Sequence, residues 1–487
     1  MNFPLIIALT LNIAFSADGN SLQPCNNTPE FRTAVNSSKQ EKSSYTDYRK
    51  LGKEIFKELI EINTTSTYGS TKAVEAMAAR LRSAGFPDSD IQVIGPDQQH
   101  KNLIFRYHGT GKQKPVLFIC HLDVVEALRA DWSVDPFTFL EKEGFFYGRG
   151  TTDIKNEDAS LITNVIHLKN EGYVPDRDII IALTADEEAG TANGVEWLIK
   201  NHKELIDAEF CINPDGGGGD SRNGQNITMA IQTSEKIYMT FRLEVKNKGG
   251  HSSLPVKDNA IYTLAAGLIR LQAFDFPVQL NETTRNFFEK VANSERGQVK
   301  SDILAILMNP PDTAAARRLA SNSAYYNAMM RTTCVATMMS AGHAENALPQ
   351  TALAIVNCRM LPGDNPENVL RTLKNVIADD RISVTCPYSS FSTPLSPLRD
   401  DITGPVTQIA ASMWPGVNVT PIMSTGATDG KYLRVKGIPV YGVSGMFGDV
   451  DDVRAHGKDE RIAAKDFYDG IEFMYRFMKA LSSEKIK

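Results

Sequence analysis

The sequence predicts an α/β fold: a mostly parallel sheet covered by helices on both faces, with an α+β module inserted into it. Two observations predict this. Runs such as "PVLFICHLD", "DIIIALTADE" and "AEFCINPD" are continuously apolar and alternate with helical patterns, as strands buried on both faces do. Beyond about Ser234, runs such as "KIYMTFRLEVKNKG" and "QTALAIVNCRML" alternate apolar with polar residues instead, which marks a sheet with one wet face. A chain of 487 residues is long enough for two or three domains with large cores.

The elements follow in order. The apolar opening "MNFPLIIALTLNIAFS", residues 1–16, is too short to span a bilayer and reads as a signal peptide, with Ala14 and Ser16 at a small-x-small cleavage site. It implies a secreted or periplasmic protein without stable membrane insertion. Residues 17–45 are polar, rich in Ser and Asn, and read as a flexible leader. The main domain starts at 46 with helical periodicity in "YRKLGKEIFKELIEI" and "STKAVEAMAARLRSAGF". It runs to 233 as strand "PVLFICHLD", helix "NEDASLITNVIHLKNEG", strand "DIIIALTADE", helix "GTANGVEWLIKNHKEL" and strand "AEFCINPD". The inserted module, 234–393, reads strand-helix-strand-strand-helix-strand, a ferredoxin-like order. Its helices are "NAIYTLAAGLIRLQAF" and "PENVLRTLKNVIA", and the segment 282–333 is too long for a loop and should carry helices of its own. The main domain resumes over 394–487 with "GPVTQIAASMWPG", "IPVYGVS" and the closing helix "KDFYDGIEFMYRFMKAL".

A net charge of −6 and a pI near 5.9 argue against a nucleic-acid partner, which calls for a basic field. The six cysteines form no CxxC pair, and most lie in apolar runs where a thiol acts as a small buried hydrophobe. Their spacing leaves any disulfide pairing open.

Ligands of open α/β sheets bind beyond the carboxyl ends of the strands. Those ends carry His121 and Asp123, then Asp186, Glu187 and Glu188, then Asp215. The Gly-rich turn of "YGRGTTDIKNEDAS" adds Asp153, and "AHGKDERI" adds His456. A sheet interior cannot hold three adjacent carboxylates without compensation, so these acids either sit in water at a strand end or face a cation. Nitrogen and oxygen donors from five segments, without a thiolate set, suit a hydrolytic zinc, cobalt or manganese site. His121 and Asp123, two apart on a strand, share a face, so that carboxylate could accept the spare imidazole N–H; Cys120 points the other way. Asp186 reads as an ordinary turn residue, and His167 and His202 as structural residues of helices.

"HLDVV", "GRGTTDIK", "DEEAG", "INPD", "GGHSSLP" and "AHGKDERI" occur in the order seen in the dinuclear zinc peptidases, and the chain resembles that family over about 46–487. The family includes glutamate carboxypeptidase, the aminoacylases, carnosinase and succinyl-diaminopimelate desuccinylase. "WSVDPFTFLEKEGFFYGRG" looks most like the branch of carboxypeptidase S and the secreted N-acyl amino acid hydrolases. The resemblance implies two Zn²⁺ per chain, with Co²⁺ or Mn²⁺ as alternatives. Asp153 would bridge them, Glu188 and His456 would complete one site, and His121 and Asp215 the other. It also implies Glu187 as general base, Asp123 as the partner of His121, and a cis peptide bond after Asp153. His251 would polarise the substrate from the inserted lid. Arg359 would anchor a substrate carboxylate, with Asn346 as a second polar contact, and the backbone around Gly426 and Thr428 would line the pocket. The expected activity is hydrolysis of a peptide or amide bond beside a free carboxylate, of carboxypeptidase or dipeptidase type. An N-acyl amino acid hydrolase and a catalytically silent metal-binding protein are the rivals. Small peptides or N-acyl amino acids are the expected partners, and the lid could pair two copies into a homodimer.

Overall fold

The computed structural model describes residues 47–387 and 392–483. The signal-peptide and leader readings, 1–16 and 17–45, lie outside the described residues. No described helix is long and apolar enough to cross a membrane.

The central sheet has six strands, ordered Ile91–Ile94, Asn102–Tyr107, Ile179–Thr184, Val116–His121, Phe210–Ile212 and Val440–Tyr441. The last four run parallel and the first two are antiparallel additions at one edge. Val116–His121 and Ile179–Thr184 are buried at every position. Side chains on a strand point alternately to either face, so each strand feeds two cores. Phe118, Ile179, Ile181 and Leu183 pack with helices 47–61, Thr71–Ser83, Lys155–Asn170 and Ala464–Ser482. Leu117, Ile119, Ile180 and Ala182 pack on the other face with Val195 and Leu198 of the helix Gly194–Asn201. A fully buried Ile stabilises the fold by roughly 1.5–3 kcal/mol, so one charge at Ile181 would be enough to break this layer.

A second sheet, ordered Asn418–Ser424, Gln225–Glu235, Gly218–Arg222 and Phe447–Asp449, stands beside the first. Its central hairpin turns at Asn223 and Gly224, both with positive φ.

The inserted module is a four-stranded antiparallel sheet ordered Thr333–Ala341, Thr351–Met360, Ile237–Lys246 and Ile382–Thr385. Thr333–Ala341 is the strand of the expected pattern to which the sequence reading assigns no residues. Ile237–Lys246 alternates buried and open positions along its length. Its buried face packs on Leu264 of the helix Ala260–Gln272 and Val369 and Leu373 of the helix Pro366–Ile377. The segment 282–330 is helical, as its length demanded, with helices at Glu282–Ser294, Gly297–Ile306, Thr313–Asn322 and Ala324–Met330. These helices do not join the lid sheet. Phe287, Phe288, Ile303 and Met330 pack with Ile422 and Met423 of the second sheet.

Candidate metal centre

The ends of the parallel strands bring the predicted donors together. His121 is the last residue of its strand, Glu187 and Glu188 follow Ile179–Thr184, and Asp215 follows Phe210–Ile212. Three sets of donor atoms each lie within 4.8 Å of one another: His121 with Asp153 and Asp215, Asp153 with Glu188 and His456, and His121 with Glu187 and Glu188. Asp153 belongs to the first two. Its Oδ1 is 3.2 Å from His121 Nε2, and its Oδ2 is 2.9 Å from His456 Nε2. The same His456 nitrogen lies 2.7 Å from Glu188 Oε1. One carboxylate that faces a different imidazole with each oxygen is the arrangement of a bridge between two ions. The set is all nitrogen and oxygen, as hard or borderline divalent ions require. Cys120 is turned into the core.

The loop carrying Asp153 is clamped from behind. The buried Glu460 accepts from Arg149 Nη1 at 2.6 Å, the Gly150 N–H at 3.2 Å, the Thr152 N–H at 2.8 Å and Thr152 Oγ1 at 2.9 Å. Gly150 has φ +91, and a Cβ there would lie 2.9 Å from Lys155 Cδ, so only glycine lets the loop pass so close. The Asp153–Ile154 peptide bond is cis. Glu460 lies in "AHGKDERI", four residues after His456, and was passed over because an exposed polar loop gives no sign that one of its acids is buried.

Asp123 differs from the expectation. His121 Nδ1 donates to the main-chain carbonyl of Asp123 at 3.0 Å, while the nearer carboxylate oxygen is 3.8 Å away. The carboxylate instead accepts the N–H groups of Glu187 at 3.0 Å and Glu188 at 2.9 Å. Asp123 therefore positions the two acids as well as the imidazole. Asp186 is a turn residue with φ +60, accepting Thr191 Oγ1 at 3.1 Å and the Ala192 N–H. The Glu187 carboxylate takes no hydrogen bond among the described residues and sits beside His121.

The donors also act on one another electrostatically. Burial pushes Glu187 well above the carboxylate range, aided by the nearby charge of Asp429. Burial lifts Asp215 to about 8. Burial works against the charged forms of Asp153 and His121 too. Hydrogen bonds from the two histidines nevertheless hold Asp153 low, and the bond to Asp153 holds His121 well above its usual value. Hydrogen bonds to Asp153 and Glu188 lift His456 to about 9. Asp429, lifted to about 6 by burial, was missed in the sequence; its Oδ1 accepts Asn193 Nδ2 at 2.6 Å and its buried Oδ2 finds no partner among the described residues.

The lid residues are arranged differently. His251 and Asn346 are neighbours on a two-stranded ribbon: His251 is in register with Ala347, and the Ser252 N–H donates to the Asn346 carbonyl at 3.0 Å. Both residues are exposed, and neither belongs to the donor sets above. Ser253 Oγ lies 2.7 Å from His251 Nδ1. Arg359 stacks over Tyr238 at 4.8 Å and meets no carboxylate among the described residues. Thr428 lines the cavity beside Asp153 and Asp215, as expected of this loop, and its N–H and Oγ1 both donate to Glu235 Oε2, at 2.9 and 2.8 Å. The Gly426 N–H donates to Ser424 Oγ at 3.0 Å.

A covered parallel sheet with such a centre at its carboxyl edge defines a metal-dependent hydrolase acting on peptide or other amide bonds. The sequence pattern of peptidase family M20/M25/M40 matches residues 117–480, so the chain belongs to that family. It is 28% identical over 433 residues to the N-fatty-acyl-amino acid synthase/hydrolase PM20D1 of Homo sapiens, covering 87% of this chain and 84% of that one. It is 27% identical over 391 residues to the probable carboxypeptidase S-like 2 of Dictyostelium discoideum, covering 78% of this chain and 74% of that one. Its fold matches the metallo-carboxypeptidase Sso-CP2 of Sulfolobus solfataricus with a TM-score of 0.66 at 17% identity, over 88% of this chain and 99% of that one. Human carnosine dipeptidase 1 matches with a TM-score of 0.62 at 17% identity, over 91% and 98%.

Proposed function

We propose that this hydrolase cleaves N-acyl amino acids at the amide bond beside a free carboxylate, using two zinc ions held by His121, Asp153, Glu188, Asp215 and His456. The observation that carries the reading is Arg359. It is a partly buried guanidinium that meets no carboxylate among the described residues, and it stands on the inserted module rather than in the metal cluster. A guanidinium fits a carboxylate with two parallel hydrogen bonds. Curated relatives that bear N-fatty-acyl-amino acid names point to the same substrate class.

Two bound divalent ions would supply Lewis acidity, acidifying an attacking water and polarising the carbonyl. The chain supplies the rest. Asp153, shared by two of the donor sets, would help to hold both ions, and Asp123 fixes the imidazole of His121 and the turn at Glu187. Glu187, whose carboxylate takes no hydrogen bond among the described residues, would take the proton from the water and return it to the leaving nitrogen. Arg359, with Asn346 beside His251, holds the amino acid half. His251 reaches the carbonyl oxygen when the lid closes; Gly249 and Gly250, both at positive φ, give its ribbon a pliable approach.

The secreted location is supported by the apolar opening and by the Cys334–Cys358 disulfide between facing strands of the lid, a bond that persists outside the reducing cytosol. A homodimer through the lid is supported by its edge strand Thr333–Ala341. There Val335, Met338 and Met339 are at least 60% exposed beside an unpaired strand edge.

The test is a hydrolysis screen of N-acyl amino acids, their C-terminal amides and dipeptides, each with zinc, cobalt and manganese. Cleavage of the acids with the amides refused is expected. Dipeptides cleaved in preference to acyl amino acids would make the protein a dipeptidase, and metal binding without turnover on any substrate would make it a silent binder.

A further inference from the structure

A cavity of about 410 Å³ opens from the metal cluster, with Asp153 and Asp215 in its wall. Most of the remaining wall is apolar: Phe145, Ile154, Ile422, Met423, Phe447 and Val453 line it. Some of the charge in its wall is engaged, although Asp466 is in the wall too and its carboxylate has no hydrogen-bond partner among the described residues. Asp452 takes Arg454 at 2.6 Å and Arg461 at 2.6 Å, and Asp220 Oδ2 accepts Thr228 Oγ1 at 3.0 Å. Arg359, Asn346 and His251 stand on the lid and are not part of the wall. The cavity adjoins the metal donors and is separate from the residues assigned to the carboxylate, which makes it the candidate for the acyl half.

Five glycines line it, and four have a structural reason to be glycine. A Cβ at Gly216 would lie 1.5 Å from Gln232 Oε1, at Gly217 2.5 Å from the Ser444 nitrogen, and at Gly219 2.2 Å from the Phe447 ring. Gly224 has φ +75 in the hairpin turn. Gly448 is the exception. It lies in the strand Phe447–Asp449, in register with Asp220, its φ is outside the left-handed region, and a Cβ there meets nothing within 4 Å. Neither packing nor backbone conformation requires the missing side chain. Gly448 is solvent-exposed in the cavity wall, and without a side chain it leaves the adjoining space open.

We propose that this cavity binds a straight-chain hydrocarbon acyl group and that Gly448 sets how long a chain it accepts. The inference rests on the acyl-amino acid reading of the site, since it assigns the half of the substrate that Arg359 does not hold.

The experiment uses the full chain, metal-loaded, as wild type, Gly448→Ala and Gly448→Leu. kcat/KM is measured on N-acyl-phenylalanines from acetyl to dodecanoyl, and binding of dodecanoate to the same proteins is measured by calorimetry. The wild type should favour dodecanoyl over acetyl. Gly448→Leu should lower that ratio at least tenfold, the scale of excluding about two methylenes. Gly448→Ala should lower it by a smaller factor, and dodecanoate binding should weaken in the same order. A ratio unchanged in both variants, with dodecanoate binding also unchanged, overturns the assignment of Gly448 and leaves the function standing. Dodecanoate binding that Gly448→Leu weakens, in a protein that cleaves no acyl amino acid, upholds the cavity and sinks the proposed function. If Gly448→Leu does not fold, the alanine variant decides by the same ratio.

Discussion

The catalytic body and the lid present their polar residues in opposite ways. In the body, His121 and Asp153 are buried or nearly so, and their donor atoms lie within 4.8 Å of one another and of Asp215. In the lid, His251 and Asn346 are exposed, and Arg359 faces only an aromatic ring. The loops of the body site are held by buried hydrogen bonds, the Thr152 N–H donating to Glu460 and the Glu187 N–H to Asp123. A preorganised centre of this kind needs no reorganisation when charge develops. The lid residues have no such scaffold around a ligand, so their contribution must be assembled with the substrate. Variants in the body should therefore remove metal or chemistry outright, whereas variants in the lid should change selection between substrates.

The sharpest way to break this comparison is at Asp153. Asp153→Ala should lose both ions and all measurable turnover, because each oxygen serves a different set of donors. Two ions per chain by metal analysis of the purified variant would show that Asp153 is not the bridge. Next in size is Glu187→Gln, which should keep both ions and substrate affinity while kcat falls by about 10²–10⁴-fold, the usual contribution of a positioned general base. A variant with more than a tenth of wild-type kcat would end that assignment.

Glu460 tests whether the rigidity of the body matters to the metals. Glu460→Gln leaves Arg149 buried without its counter-charge and loosens the Thr152 contacts. Partners of metal ligands typically change metal affinity by about 10–100-fold, so zinc competition against a chelator should show a loss in that range. An unchanged affinity would mean that the Asp153 loop holds itself. Arg359 tests the lid. Arg359→Ala should lower kcat/KM at least tenfold on N-acyl amino acids, consistent with the roughly 2–5 kcal/mol of a truncated charge pair, and should do little on the corresponding amides. Equal losses on both would take Arg359 out of substrate reading.

The sequence made the catalytic body more legible than its supports, for a physical reason. His121, Glu187, Glu188 and Asp215 stand where apolar strands end, and a polar residue in that place is conspicuous. The supports sit inside ordinary loops. Nothing around Glu460, Asp429 or Glu235 in one dimension says that a carboxylate is buried, because burial comes from distant segments folding over it. The hairpin Gly218–Arg222 with Gln225–Glu235 was missed although Asn223-Gly224 is the dipeptide that two-residue hairpins favour; its run of glycines obscured the strand. The helices at 282–330 were foreseen from length alone, but their attachment to Ile422 and Met423 rather than to the lid could not be, since their apolar stripes fit either surface. The Asp123 carboxylate was assigned to the imidazole from period-two geometry, and the turn that follows the next strand took it instead.

The smallest effect expected separates body from lid by acid. His167, on the helix that begins just after Asp153, is stacked between Tyr48 at 3.5 Å and Tyr475 at 4.4 Å. The buried core of the lid sheet contains no histidine among the described residues. Burial pushes His167 down to about 4, with Glu171 opposing and Lys479 reinforcing the shift. An unfolded histidine titrates near 6.5, so the folded body prefers the neutral ring. The stability gained is complete above about 6.5, falls as the pH drops from there to about 4, and changes no further below it, where both states are protonated. His167→Phe keeps an aromatic ring between the two tyrosines and removes the proton. The Tm of wild type minus that of the variant should therefore decrease between pH 7 and pH 4.5, by on the order of a few degrees because the ring is only about half buried. Scanning calorimetry of both proteins measures it, and the subtraction cancels the metal loss that both suffer in acid. A difference that stays constant over this range would mean that the stack tolerates the imidazolium and that acid enters the body elsewhere.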